Sequence, residues 1–209
     1  MKLAAIFAIL LYSSIAQTAT PQVFFMEPGK APKDETIPAF RLVTDENKLN
    51  TYRKWIDNDA ARWAFDLYSR AWKIKHKDAE NTSYYIALVE GGNHAEVGFR
   101  LLNTSGEQSF PDSSYIKLDP ESGAFKATLL HETGHMILAI LNGGKKIPQL
   151  GIASIPHTTA ALTDRGTAFD EGFAIHLETL AAHYLNDPEI RSRYDHQSFQ
   201  AGMPSMLGE

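Results

Sequence analysis

Apolar positions in this 209-residue chain change their spacing along its length, and each change predicts an element. Leu49, Tyr52, Ile56, Trp63, Leu67 and Ala71 recur near helical spacing. Thr44 or Asp45 is placed to cap that helical region, and Asp57-Asn58-Asp59 to split it in two. Trp55, Trp63 and Trp72 are expected to pack helices. Lys73, Lys75, His76 and Lys77 read as a solvated helix end, where positive charge suits the macrodipole. The period then falls to two. Ser83 to Val89 predicts a strand, Gly91-Gly92-Asn93 a turn, and Ala95 to Leu102 the partner strand of a hairpin, with Val97, Phe99 and Leu101 on one face. Asn103 to Ser114 reads as a polar loop, and Tyr115-Ile116-Lys117-Leu118 as another short strand. A strand on the rim of such a sheet can pair with an extended peptide, and the Tyr115 segment is one candidate for it. His94 reads as an exposed turn residue.

Helical spacing returns with Ala127, Leu130, Ile137, Leu138 and Leu141. Asp119-Pro120-Glu121, with Ser122 as a second cap, has the grammar of a helix start. Asn142-Gly143-Gly144, followed by Pro148, is a stop. A last helix is expected after Thr163 or Asp164, carrying Phe173, Leu177, Leu180 and Leu185 and ending at Asn186-Asp187-Pro188. These elements predict an α+β fold: a small β-sheet packed on one helix, followed by a second helix.

Both ends of the pattern add information. Lys2 and the apolar run Leu3 to Leu11, with Ser14-Ile15-Ala16 offering small residues before Gln17, read as an export signal over residues 1–16. The run is shorter than the ~20 residues that span a bilayer. Export to the periplasm or the exterior is the expectation, with no lasting membrane anchor. Residues 17–43 hold Pro21, Pro28, Pro32 and Pro38 and read as an extended arm, with short strands at Val23-Phe24-Phe25 and Phe40-Arg41-Leu42-Val43. Residues 44–209 are expected to form the functional domain. The net charge of -5 and the lack of any Lys/Arg-rich run argue against nucleic acid as a partner. Cysteine is absent, which excludes disulfides and thiolate metal sites. Any metal must be held by nitrogen and oxygen.

The helix over Ala127–Leu141 contains His131-Glu132-Thr133-Gly134-His135. Residues four apart on a helix lie about 40° apart around the axis, one turn up, so His131 and His135 can aim two imidazoles at one point. Glu132, rotated roughly 100° from His131, lies beside that point. Two neutral nitrogen ligands and a carboxylate able to deprotonate a metal-bound water make a hydrolytic zinc site. The competing reading is two surface histidines on an ordinary amphipathic helix.

A catalytic zinc (Zn2+) usually has three protein ligands. Positions 138 and 141 are leucine, so the third comes from further on. Glu171, in Thr167-Ala168-Phe169-Asp170-Glu171-Gly172-Phe173-Ala174 at the start of the last helix, is the candidate. The two histidines followed by Asp170-Glu171-Gly172-Phe173-Ala174 resemble the gluzincin metallopeptidases, which include thermolysin-like and alanyl-aminopeptidase-like enzymes. The resemblance covers about residues 119 to 186. It implies His131, His135 and Glu171 as metal ligands, Glu132 as general base, a zincin-like fold and peptide or protein substrates. The chain departs from those branches in three places. His135 and Glu171 enclose 35 residues (136–170), a longer interval than theirs, with Asn142–Arg165 as the insertion. Ile175 stands where the thermolysin-like pattern has an aspartate, and no Gly-x-Met-Glu-Asn motif precedes the motif helix.

Other groups fall near this site. Glu178, seven residues after Glu171, either supports a ligand histidine or is solvated, and solvation is the simpler expectation. Asp170 is a candidate acceptor for a ligand imidazole. His157, Tyr184, Tyr194 and His196 are candidates for stabilising an oxyanion, Tyr184 being disfavoured because it falls on the far side of its helix. His176 and His183 read as surface or packing residues. The sequence therefore predicts an exported zinc metallopeptidase. Its rivals are a zinc hydrolase of a non-peptide amide and an exported binding module whose metal is structural.

Overall fold

The computed structural model describes residues 21–30, 37–77, 82–104, 106–121, 125–147, 165–185 and 187–192. The expected signal, the caps Ser122, Thr163 and Asp164, and the candidates His157, Tyr194 and His196 lie outside these residues.

Five strands close into a mixed barrel: β1 (Gln22–Pro28), β2 (Ala39–Leu42), β3 (Ser83–Leu88), β4 (Asn93–Asn103) and β5 (Gly106–Leu118), in the spatial order β1-β2-β4-β5-β3. β1 closes it by pairing parallel to β3 through its first half and antiparallel to β2 through its last residues. The two strands expected in the proline-rich segment are thus part of the barrel wall. Alternation sorts the side chains into two cores. Met26, Phe40, Ala87, Phe99, Leu101 and Tyr115 fill the barrel, with Tyr85 and Phe110 against them. Phe25, Tyr84, Ile86, Ile116 and Leu118 point outward under the helices.

Three expectations about the strands need correction. The hairpin partner of β3 is not β4: β5 lies between them, parallel to β3 and antiparallel to β4. The polar stretch before Ser114 is not a loop, because β5 starts at Gly106 and pairs with β4 through its backbone while its side chains stay mostly exposed. Val97, Phe99 and Leu101 do not share a face. A bulge between Val97 and Phe99, with Gly98 at φ 87°, breaks the alternation. Ala95 therefore faces the helices while Phe99 and Leu101 face the barrel interior.

The helices are α1 (Glu46–Ile56), α2 (Asp59–Lys75), α3 (Phe125–Leu141), α4 (Arg165–Tyr184) and α5, a short one over residues 188–192. Asp45 caps α1 by accepting from the Asn47 and Lys48 amides, and Asn58 caps α2 by accepting from Ala61, at the break expected there. Trp55, Trp63 and Trp72 pack against the cores. Asp119 does not cap α3. Its carboxylate accepts from the Glu121 and Gly91 amides, fixing the turn that precedes the helix.

α3 is the hub. A helix apolar on all sides is buried on all sides, and here Leu129, Met136 and Ile140 meet the barrel, Leu130 meets α2 and α4, and Ile137 and Leu138 meet a third cluster with Phe173 and Leu177 of α4. The Tyr84 hydroxyl is buried 2.6 Å from Thr133 Oγ1, and Thr133 donates to the Leu129 carbonyl at 2.6 Å, so Tyr84 is the donor to Thr133. Burial also pushes the Tyr84 phenol well above its ordinary range, which keeps that proton in place. This bridge pins β3 to α3 next to Glu132. Among the described residues no helix is long and apolar enough to cross a membrane.

Candidate metal centre

α3 presents His131 and His135 toward α4 and turns Glu132 toward β4. The two Nε2 atoms lie 3.2 Å apart. From α4, Glu171 Oε2 comes within 3.3 Å of His131 Nε2, and Oε1 within 3.8 Å of His135 Nε2. Ligand atoms ~2.0–2.1 Å from a tetrahedral zinc are ~3.3 Å from one another, so these separations fit one cation among the three groups. The structure thus brings together the two histidines and Glu171, from helices far apart in sequence.

Close packing of the helix backbones makes this approach possible. Gly134 sits between the two histidines, facing Ala174 of α4. A Cβ at position 134 would lie 2.8 Å from the Ala174 Cα. Ala174 is three residues beyond Glu171, about one turn along the same helix.

Each imidazole has an acid behind it. Glu178 Oε1 is 2.6 Å from His131 Nδ1, and Glu178 is only 6% exposed. The expectation that Glu178 is solvated is therefore corrected: the face that carries Glu171 continues one turn pair deeper, into the α3 interface. Asp170 Oδ1 lies 2.9 Å from His135 Nδ1, although the approach is not aligned as a hydrogen bond. Carboxylates at Nδ1 leave each Nε2 free to act as a ligand and increase its basicity. Burial lowers the His131 pKa, but the hydrogen bonds that its ring donates to the Glu171 and Glu178 carboxylates outweigh it and raise the group to about 10. The proton answers a surplus of carboxylate charge that a cation at the same nitrogen would also answer.

Glu132 is placed differently. It is 5% exposed, and its Oε2 accepts from the Ala95 amide of β4 at 2.6 Å. Burial raises its pKa, opposed by His131, His135 and the Ala95 N–H. Its carboxylate is still close: the candidate ligand atoms of His131, Glu132 and His135 all lie within 4.8 Å of one another. Two carboxylates thus face the histidines. Glu171 approaches both Nε2 atoms, whereas Glu132 is held to one side by a backbone donor. The Ala95 amide was not identified from sequence, since a main-chain donor has no side-chain signature.

The site opens into a cleft of about 360 Å³, walled by β4 on one side and by α3 and α4 on the other. His94, expected in a turn, lies on β4 and lines this cleft, with Nε2 3.3 Å from Glu96 Oε1. The Tyr115 segment is no rim strand, because it is paired with β3 and with β4. The rim by the site is β4 at 93–97, which pairs with β5 and has no second strand among the described residues. Tyr184 is 66% exposed at the end of α4, and His176 and His183 are exposed on the same helix.

Comparison with protein-family models, with curated proteins and with solved structures finds no match to this chain.

Proposed function

We propose that this chain is an exported zinc-dependent peptidase of the gluzincin type, with His131, His135 and Glu171 as metal ligands and Glu132 as general base. The observation that carries this reading is the convergence of the Glu171 carboxylate on both Nε2 atoms, at 3.3 and 3.8 Å, with Glu132 tethered beside them. A zinc ion held there would supply Lewis acidity, polarising a carbonyl and easing deprotonation of water at neutral pH.

The chain supplies the proton traffic and the positioning. Glu132 Oε2 is engaged by Ala95, which leaves Oε1 to take a proton from the attacking water and return it to the leaving amine. Burial makes the Glu132 carboxylate a stronger base than an exposed one. Glu178 holds the His131 imidazole from behind by a hydrogen bond, and Asp170 sets a negative charge 2.9 Å behind that of His135. The edge of β4 between Asn93 and Val97, with no second strand beside it among the described residues, runs along the cleft; Glu132 takes its Ala95 N–H, and the other outward backbone groups are left to an extended peptide.

The test is hydrolysis of a casein-derived peptide mixture by purified protein, before and after chelation and zinc readdition. Activity should vanish on chelation and return with zinc. Glu132→Gln should retain zinc while its turnover falls by about 10²–10⁴-fold, the usual worth of a positioned base. Full turnover in that variant contradicts the assignment.

A further inference from the structure

One group in the cleft remains unused by this chemistry. Immediately after α3 the chain reverses. Gly143 N bonds to Ile140 O, Gly144 N to Ala139 O, and the Asn142 side-chain amide donates to the carbonyls of Lys145 and Lys146. These bonds make a closed helix C-cap. They aim the next residues back over the cleft, where Lys146 and Ile147 join its lining. Lys146 Nζ reaches the strand on the opposite wall and pairs with Glu96 Oε2 at 2.9 Å.

Lys146 is not the sole cation beside that carboxylate. Glu96 is flanked by Lys146 at 2.9 Å and His94 at 3.3 Å, which line the cleft, and by Lys117 at 4.0 Å, which lies outside that lining. Contacts with His94 first, and then with Lys146 and Lys117, hold the Glu96 pKa down to about 2. Glu96 is therefore ionised throughout the neutral range, and its charge is shared between two lysines, Lys146 and Lys117. Lys146 is half exposed, and a lysine ammonium has three donors, of which Glu96 needs one. Ser114 of β5 lines the same cleft, is 3% exposed, and its hydroxyl has no partner among the described residues. A buried hydroxyl with no partner costs stability unless a ligand satisfies it. Val97, Met136 and Ala139 supply apolar lining beside these groups.

We propose that this wall is a carboxylate-binding subsite, in which Lys146 and Ser114 receive an acidic group of the substrate beside the scissile bond. The proposal rests on the peptidase reading and adds to it a substrate class: peptides carrying a carboxylate next to the cleaved bond. The carboxylate belongs either to an Asp or Glu side chain or to the peptide's free C-terminus. The alternative occupant, a free amino terminus held by Glu96, is disfavoured because Glu96 is already saturated with cations.

The experiment uses peptide sets that differ only in charge: Glu against Gln at each position, and free C-terminus against C-terminal amide. Hydrolysis is followed with zinc-loaded wild type, and binding is followed by calorimetry on the zinc-loaded Glu132→Gln variant. The expected result is a preference of about twofold to fivefold for the acidic member of a pair, the usual worth of a half-exposed charge contact. That preference should shrink toward one in Lys146→Met and reverse toward basic peptides in Lys146→Glu. A side-chain preference identifies the first source and a free-terminus preference the second. Equal treatment of acidic and neutral peptides by wild type overturns the subsite, as does a preference that survives in both Lys146 variants. Discriminating binding without hydrolysis of any peptide supports the subsite and sinks the peptidase reading. Charge-blind hydrolysis does the opposite.

Discussion

Replacing Gly134 by alanine tests how the proposed metal centre is assembled. In isolation the change favours a helix by about 1 kcal/mol. In this fold the added Cβ would stand 2.8 Å from the Ala174 Cα and 3.1 Å from its Cβ. Carbon atoms rest ~3.5–4.0 Å apart, so α3 and α4 must separate locally by ~0.7 Å or more. The obstacle is backbone and cannot rotate away. Overpacking of this kind costs about 1–3 kcal/mol, which leaves a net loss of about 0–2 kcal/mol. The larger effect falls on the site. Glu171 lies about one turn from Ala174, so the separation is passed on to its contacts with His131 and His135, now 3.3 and 3.8 Å. Sites of this kind tolerate about 0.5 Å of misplacement. Zinc affinity, measured by competition with a chromophoric chelator, should fall by about 10–100-fold, and the melting temperature should not rise. Gly172→Ala is the control. It lies on the same helix, next to Glu171, yet an added Cβ there meets nothing within 4 Å among the described residues. It should stabilise the protein by up to about 1 kcal/mol and keep its zinc affinity. A Gly134→Ala protein with wild-type affinity and raised stability refutes the claim that close backbone contact sets the ligand geometry.

Two further predictions follow from the groups around the centre. Glu178→Gln keeps the size of the side chain but removes the charge behind His131, and should lower zinc affinity by about 10–100-fold with little change in fold, as read by calorimetry and circular dichroism; unchanged affinity would show that the 2.6 Å contact has no bearing on the metal. Glu96 has a folded pKa of about 2 against an ordinary 4.5, so its contribution is complete above pH 4.5 and is lost as pH falls from 4.5 toward 2. Because the group is only half-buried, solvent screening reduces that contribution to about 1 kcal/mol. Urea titrations at pH 5 and pH 2.5 should show a smaller acid loss in Glu96→Gln than in wild type, and equal losses would contradict the ion-pair reading.

Where the sequence succeeded and where it failed has a physical basis. His131, Glu132 and His135 were legible because helical periodicity fixes the relative direction of side chains four apart. Glu171 was legible because its helix has its own apolar spacing. The role of Glu178 was not, since a carboxylate seven residues on faces the same way whether a neighbouring helix covers it or water does. The barrel was hidden for another reason. Strand order depends on long-range backbone pairing, and β5 carries polar side chains over Gly106–Ser114 that give no apolar alternation. The strands read at Ser83–Val89 and Ala95–Leu102 fall within or close to β3 and β4, although β4 takes in Asn93 and His94 from the expected turn, and the short connection suggested a pairing that β5 occupies instead. The Ala95 amide and the return of Lys146 over the cleft are consequences of the backbone path and have no motif.

The central claim is that three side chains from two helices hold one cation with a position left for solvent. Zinc K-edge absorption on protein loaded with one equivalent of zinc tests it most directly. The account predicts two imidazole nitrogens at ~2.0–2.1 Å, with carboxylate and solvent oxygen completing the shell. One imidazole should be lost in His131→Ala, and the carboxylate in Glu171→Ala. A shell without imidazole, a shell of four protein ligands, or no change in Glu171→Ala would contradict it.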